Sequence, residues 1–590
     1  MLEFLGKTPK EFRLDLSEVN ITLVEENPLF FNYFVKKYTW PFRKKLDAEI
    51  SEKLGFLDLD NVTNYTTKFY GTLRIDDVFN DAYLIISQLN EDSLQGSIYY
   101  GKETRGLFSE KLSKLPFPLI NTDNIINHAK KTITKAYPDV GYNFPMIFDA
   151  NFKENSKYEQ FEGIVNNYEK DNFKTNYIGT VEGDTVIYNR NLIVPMPYLM
   201  EVLKVGFASD DIIMNGSFVS DQANNKILLY TDKYLEKFDT GHSSVFGFKT
   251  TSEVWSDNLI TANHYKSYPI TQIGTYTLKL LMDLPDYIDV DEFKVTHNDG
   301  VVFSSNGNSI DETLIINVEG GHKGRIHFYL KIKKTTEDSS DGIGDISAYN
   351  NISFDLTDGE LNVFPNTFSL SQVMPDITFG AFLNKIKNWL NLEITFDKNV
   401  VNINYIEQKF LETDLKDESH LEPINVSRVF NQNKLYELKD RLNELYISSD
   451  GLQDDSQGYK SEDITSIDVG FKKMRRTSLN GVFTATKSKE DKFAFLLYDG
   501  LVDGKPLAVD NIGGRNFTLT ENYERNWRKW LHFRLNSETY KDKFPAHILE
   551  DFQISAGRFK YNKKHLYKSI KKKRISNNHW QLDVESETML

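Results

Sequence analysis

The 590-residue sequence predicts an α+β fold that is predominantly β, with several small antiparallel barrels or sandwiches and short amphipathic helices packed on them. Two observations carry this. Aromatic residues are abundant, with 41 Phe, 31 Tyr and 6 Trp, and most lie in short alternating runs, the pattern of strands that are half buried or face another subunit. The stretch from Met374 to Glu407 then shows how helices join such strands. Phe379, Phe382, Leu383, Ile386, Trp389 and Leu390 recur at i, i+3, i+4, i+7 on one helical face, with Asn384, Lys385, Lys387 and Asn388 opposite and Pro375 and Asp376 at the start. The period then drops to two. Leu392, Ile394 and Phe396, an Asp-Lys-Asn turn, and Val401, Ile403 and Tyr405 form a β-hairpin that buries one face on that helix.

The elements are expected in five parts. Residues 1–118 read as an N-terminal β module: Phe12, Leu14 and Leu16 alternate, as do Ile21 and Leu23 before the Asn27-Pro28 turn, and Arg43 to Leu54 fits one helix. Phe69 to Ile75, Ala82 to Gln88 and Leu94 to Tyr100 follow as a meander of the kind that closes small barrels. Residues 119–195, with Tyr137-Pro138, Phe144-Pro145 and Pro195-Met196-Pro197, read as a loop-rich connecting domain. Residues 196–345 form a first lobe, in which Tyr198 to Phe207 is helical and Lys226 to Tyr230 a strand, a weak echo of the unit at 376–406 that places Tyr198 onto Asp376. The same lobe carries a sandwich or barrel insert made of Thr275 to Leu281, Phe293 to Thr296, Leu314 to Val318 and Arg325 to Ile332, and then a mobile acidic loop, Thr335 to Asp345. Residues 346–447 are the second lobe, with a polar helix at Lys434 to Leu445. Residues 448–590 are a C-terminal module with a strand at Phe493 to Tyr498, an amphipathic helix at Tyr523 to Leu535 and basic strands to the end.

Charge is unevenly distributed. The net charge is −15, yet Glu521 to Arg574 holds 15 Lys or Arg against six Asp or Glu. Its densest part, Arg558, Lys560, Lys563, Lys564, Lys568, Lys571, Lys572, Lys573 and Arg574, contains no acid between its ends. Such a block is a solvated face, a docking patch for an acidic subunit, or a nucleic-acid contact. With no cysteine, disulfide frameworks, thiolate metal sites and cysteine nucleophiles are excluded. The opening MLEFLGKTPKEFRLDL has no apolar run suited to a signal peptide, and no window approaches the ~18 apolar residues needed to cross a bilayer; synthesis in the cytosol without Sec export is expected.

Motifs of chemistry are sparse. There is no GxxxxGK[ST] loop, since Gly500 to Lys505 has the wrong spacing, and no HExxH or GxSxG. His322 and His327 flank a Gly-containing turn without a third clustered ligand, and Asp338, Asp341 and Asp345 lack the terminal Glu of a calcium loop. No cofactor, metal or catalytic residue is expected. Among 85 acidic residues, a carboxylate pair for glycoside cleavage is not recognisable from sequence.

The order of modules resembles the tail hub or baseplate hub proteins encoded by phages and prophages of Bacteroidetes. Three places carry the resemblance: EFRLDLSEVNITLVEENPLFF with the meander GTLRIDDVFNDAYLIISQLNEDSLQGSIYYG, the unit MPDITFGAFLNKIKNWLNLEITFDKNVVNINYI, and YERNWRKWLHFRLNSETYKDKF with its basic strands. In the wider hub family, which includes the hubs of contractile tails, two related β-barrel lobes per chain assemble as a trimer and present pseudo-sixfold symmetry to the tail tube. The resemblance implies a homotrimer with heterologous interfaces closing into a ring. The partners it implies are tail tube and tail tip or spike subunits, with transient contact to genomic DNA in a channel. After the first helix, Ala208 to Asn225 departs from the two-lobe plan.

The expected function is therefore that of a non-enzymatic structural protein of a phage virion tail, made in the host cytoplasm and joining tube to tip or receptor-binding parts. One alternative is a protein that binds or degrades host surface polysaccharide. A second is the hub of a contractile injection system.

Overall fold

In the computed structural model of the chain, 51% of residues lie in strands and 18% in helices, so the fold is predominantly β. It describes residues 2–589 apart from 32–35, 57–65, 91, 102–105, 155–160, 183, 236–242, 251–252, 271, 320–323, 337–341, 362–365, 398, 410–414, 431–433, 441–442, 480, 488–492, 548–549, 551 and 576–578.

Alternating residues build the largest element, a 14-stranded sheet. The meander predicted near the N-terminus is present as Lys68–Ile75, Val78–Asn90 and Ser93–Tyr100, with Phe4, Phe12, Leu14, Phe69, Leu84 and Ile98 buried beneath it. The basic strands Glu538–His547, Lys563–Arg574 and His579–Met589 form the other half over Phe544, Tyr567, Leu582 and Val584. The halves join where Thr22–Glu26 runs antiparallel to Lys563–Arg574, with Thr22 opposite Lys573 and Glu26 opposite Ser569. The two ends of the chain thus share one sheet.

A β-sandwich supplies a second body. One sheet contains Asn176–Val181, Asp184–Tyr188, Ser243–Phe246, Gly274–Asp283, Ser309–Val318 and Asn350–Leu361, and the other Val254–Ser256, Leu259–Pro269, Asp289–His297, Gly300–Ser305 and Arg325–Thr335. Rings meet across the gap, with Phe246 at 5.0 Å from Phe328 and Tyr268 at 6.4 Å from Phe354. Part of the predicted mobile loop Thr335 to Asp345, residues 337–341, lies outside the described residues. Its described end is held, because Lys334 Nζ donates to Gly342 O at 3.0 Å and Ile343 N to Glu253 Oε1 at 2.8 Å.

Several expectations are corrected. Arg43 to Leu54 is not one helix: Phe42–Lys45 is a strand paired with Ser93–Tyr100, and the helix is Ala48–Leu54. Asp47 accepts from Ile50 N at 2.8 Å and so fixes the helix start after the strand. Lys434 to Leu445 is a hairpin of Leu435–Lys439 and Glu444–Ser448. Its helical propensity loses to sheet neighbours on both sides, a parallel strand Ile464–Asp468 and the antiparallel return. The segment after the helix Leu199–Ala208 contains a strand missed in the sequence, Ile213–Asn215, which pairs in parallel with Val400–Tyr405. The two stretches related as echoes therefore share a sheet.

Candidate functional site

The helix-hairpin unit stands at the junction of these bodies. Its helix is Phe379–Leu390, and its N-cap is Thr378, whose hydroxyl accepts from Ala381 N at 3.2 Å, rather than the Pro375-Asp376 pair. Phe379, Phe382, Leu383, Ile386, Trp389 and Leu390 are all buried. Trp389 lies among Phe471, Phe495 and Phe517 at ring separations of 5.4, 4.4 and 5.6 Å. Phe379 packs against Phe207 of the helix Leu199–Ala208 at 5.0 Å. Gly206 makes that crossing possible, because a Cβ there would sit 2.3 Å from the Phe379 ring.

Lys387, placed by periodicity on the polar face, is buried. Its Nζ donates at 2.7 Å to the carbonyls of Pro28 and Phe31, around the short turn Pro28–Phe30 of the N-terminal half. Burial pushes its pKa down to about 7. Periodicity did not show this because the helix is covered on a second side by a remote segment, Pro28 standing 359 residues before Lys387.

The hairpin grips the C-terminal helix at a defect. Between Leu519–Asn522 and Arg528–Asn536 that helix passes through a π turn, Tyr523–Trp527, which releases backbone groups from regular bonding. Asn391, left-handed at φ 50°, ends the signature helix and donates from Nδ2 to Asn526 O at 2.6 Å. Glu407, after the hairpin, accepts from Lys529 N at 2.6 Å and Trp530 N at 3.1 Å. Burial holds the Glu407 pKa above its usual value, against the opposing effect of these two N–H groups.

The basic tract is largely used internally, and its assignment as a docking patch is corrected for its first members. Arg558 and Lys560 are buried. Arg558 donates to both oxygens of Asp542 at 3.1 and 2.9 Å and to Ser586 Oγ at 2.6 Å, and lies 3.4 Å from Glu418, whose other oxygen accepts from Tyr567. Burial opposes the Arg558 charge, but Asp542 and Glu418 outweigh it and hold its pKa above normal. His565 at the edge of this cluster bonds Lys560 O at 3.1 Å; burial and then the Arg558 charge push it down to about 4. Lys563 meets Glu538 at 2.8 Å, Lys568 meets Glu585 at 2.7 Å, Lys572 meets Glu25 at 2.9 Å and Arg574 meets Asp76 at 3.5 Å. Lys571 sits over the Trp40 ring at 4.8 Å. Lys564 and Lys573 remain exposed. Strand alternation and pairing turned a run of cations into a ladder of ion pairs.

A second buried polar cluster was not foreseen. Tyr234 and Tyr230 donate to Asp149 Oδ2 at 2.7 and 3.2 Å, and Lys487 lies 3.2 Å from the same oxygen. Burial, then the neighbouring Tyr234 hydroxyl and Asp149, raises Tyr230 far above its usual pKa, so its hydroxyl stays a donor in a polar clamp between Ile147–Asp149 and Val482–Lys487. Among the described residues no group of three His, Asp or Glu is placed to hold a metal ion. His327 bonds Tyr265, whereas His322, Asp338 and Asp341 lie outside the described residues.

No protein-family model matches the chain, and no curated protein matches it. Among solved structures, the chain is similar to prophage tail proteins. One is the 43 kDa tail protein of prophage MuSo2 from Shewanella oneidensis, at 9% identity over 61% of this chain and 97% of that one, with a TM-score of 0.19. Another is the tail protein from Neisseria meningitidis MC58, at 6% identity over 61% of this chain and 96% of that one, with a TM-score of 0.18. TmCBM61, solved with beta-1,4-galactotriose, is similar at 10% identity over 24% of this chain and 88% of that one, with a TM-score of 0.11. At such TM-scores none of these likenesses bears on activity.

Proposed function

We propose that the chain is a structural subunit of a phage virion tail, a hub or baseplate protein that assembles as a homotrimeric ring and joins tail tube to tip, spike or receptor-binding subunits without turnover. The observation that carries this reading is the use of the helix-hairpin unit. Lys387, Asn391 and Glu407, the polar groups at its back and ends, are all committed to backbone partners in distant parts of the chain. Together with the internally neutralised strands and the Asp149 clamp, they make a stiff frame whose polar groups hold position. Lys564 and Lys573 are the cations left for an acidic subunit or for DNA in a channel.

Contact with host surface polysaccharide is the second reading, and one feature favours it. On the outer face of the sandwich, Tyr265 is 62% exposed, stands opposite Tyr329, and lies beside His327, with the Tyr329 hydroxyl donating to Asn263 at 3.1 Å. Exposed rings flanked by amide and imidazole groups suit stacking on a sugar.

Light scattering of the purified chain, with negative-stain averages, tests the leading reading. The expected result is a ring of three times 68.4 kDa. A monomer that releases reducing sugar from host polysaccharide overturns it.

A further inference from the structure

The outer face of the five-stranded sheet of the sandwich carries an ordered set of rings and cations. Along Arg325–Thr335 the side chains of Ile326, Phe328, Leu330 and Ile332 are buried in the core. Alternation therefore puts Arg325, His327, Tyr329, Lys331 and Lys333 on the opposite face, each about 6.7 Å from the next. Register extends the array sideways. Tyr329 lies between Tyr265 on one neighbouring strand and Lys294 on the other, and Lys294 stands opposite Ser304. One row along, Ser267, His327 and Thr296 are aligned in the same way, and on the other side Asn263 stands opposite Lys331.

These groups are held in place without being used up. Tyr265 Oη and His327 Nδ1 share a hydrogen bond and their rings stack at 5.7 Å, yet the phenol ring is largely exposed. The Tyr329 hydroxyl donates to Asn263 Oδ1, which leaves the Asn263 amide its own donors. Arg325 is anchored by Ser267, to whose hydroxyl Nε donates at 2.7 Å and to whose carbonyl Nη2 donates at 3.1 Å. Charge is sorted across the face. Asp291 lies 2.6 Å from Lys331 and 3.8 Å from Lys333, which balances that end. Lys294 and Arg325, flanking the rings, have no carboxylate partner among the described residues. In a chain of net charge −15, two cations left unpaired beside exposed rings favour an anionic ligand that also has a face to stack.

We propose that this face binds an acidic polysaccharide, a polymer whose sugar rings carry carboxylates. Tyr265 stacks on the apolar face of one sugar, Asn263 donates to its hydroxyls, and Lys294 and Arg325 pair with carboxylates on that sugar and its neighbours. Tyr265 and Lys294 are two strands apart, about 9–10 Å, which is longer than one sugar ring, so the face takes a chain rather than a single residue. An acidic peptide would meet the cations and leave the exposed ring unused. The proposal rests on the reading that the protein contacts host surface polysaccharide and adds the class of sugar; it does not depend on the ring assembly.

Calorimetric titration of the full chain with polygalacturonate and hyaluronate, each with its carboxyls free and methyl-esterified, isolates the charge because the sugar backbone is common to both forms. The free acid of at least one polymer is expected to bind about tenfold or more tighter than its ester, with affinity falling as salt rises. Lys294→Gln, which keeps the length of the side chain, should remove most of that preference and leave the ester affinity unchanged. Tyr265→Ala, at an exposed position, should weaken both forms by about tenfold. Equal affinity for acid and ester overturns the acidic class and leaves polysaccharide contact standing. Failure to bind any of the four polymers overturns both. Polyglutamate bound as tightly as the acidic polysaccharides, with Tyr265→Ala without effect on either, overturns the site, because carboxylates alone would then account for binding.

Discussion

Lys387 shows how one residue ties the frame together and how it responds to pH. Its ammonium group bridges the carbonyls of Pro28 and Phe31, and burial lowers its pKa from 10.5 to about 7. Between those values the unfolded chain holds a proton that the folded chain has released, so stability from this group rises with pH; below about 7 both states are protonated and the slope vanishes. Lys387→Met removes the slope. Denaturant unfolding at pH 7 and pH 9 is expected to show the wild type gaining about 2 kcal/mol relative to the variant over that interval. An equal pH dependence in both proteins would place the amine in water. The sequence assigned Lys387 to a solvent face because periodicity reports one buried stripe, and a second cover from a remote turn leaves no local signal.

At the scale of elements, the π turn Tyr523–Trp527 and the helix-hairpin unit explain one another. An amphipathic helix over Tyr523 to Leu535 was legible from Trp527, Trp530, Leu531 and Phe533, and so were the helix Phe379–Leu390 and its hairpin, because each has a regular period on a buried face. The defect was not legible. It exists because Asn391 and Glu407 satisfy the backbone groups it releases, and those residues lie far away in sequence. Glu407→Ala leaves two partly or fully buried N–H groups without their acceptor and should cost about 1–3 kcal/mol, with Glu407→Gln retaining much of the stability. Hydrogen exchange at Lys529 and Trp530 checks this: acceleration in the Ala variant alone is expected, and unchanged protection would show that the carboxylate does not hold the turn. The hairpin Leu435–Lys439 and Glu444–Ser448 makes the opposite point, since its local sequence favours a helix and its sheet neighbours decide otherwise.

At the scale of the molecule, the chain begins and ends in the same sheet. Glu25 meets Lys572 at 2.9 Å although 547 residues separate them. Contacts of this range are slow to form, because loop closure precedes the pairing that compensates it. Removing residues after 556 takes away the strand on which Thr22–Glu26 pairs and uncovers Leu23 and Val24. Amide protection of Thr22–Glu26 is then expected to fall towards that of an unfolded segment; retained protection would mean that the N-terminal half folds alone. The basic tract gains its meaning at this scale. Read along the chain it is a block of like charge, and across the sheet most of it faces Glu25, Asp76, Glu538, Asp542 and Glu585.

By itself the sequence determined the β-rich class, the meander near the N-terminus, the helix-hairpin unit with its six buried residues and the sandwich strands, because hydrophobic period is a local consequence of which face is buried. Tertiary structure alone decided that the two ends of the chain share a sheet, that Arg558 and Lys560 are interior, that Lys387 is covered, and that Asn425–Phe430 ends the strand order of that sheet among the described residues. Each of these depends on which distant strand lies alongside, and pairing between strands is set by backbone groups that every residue carries alike.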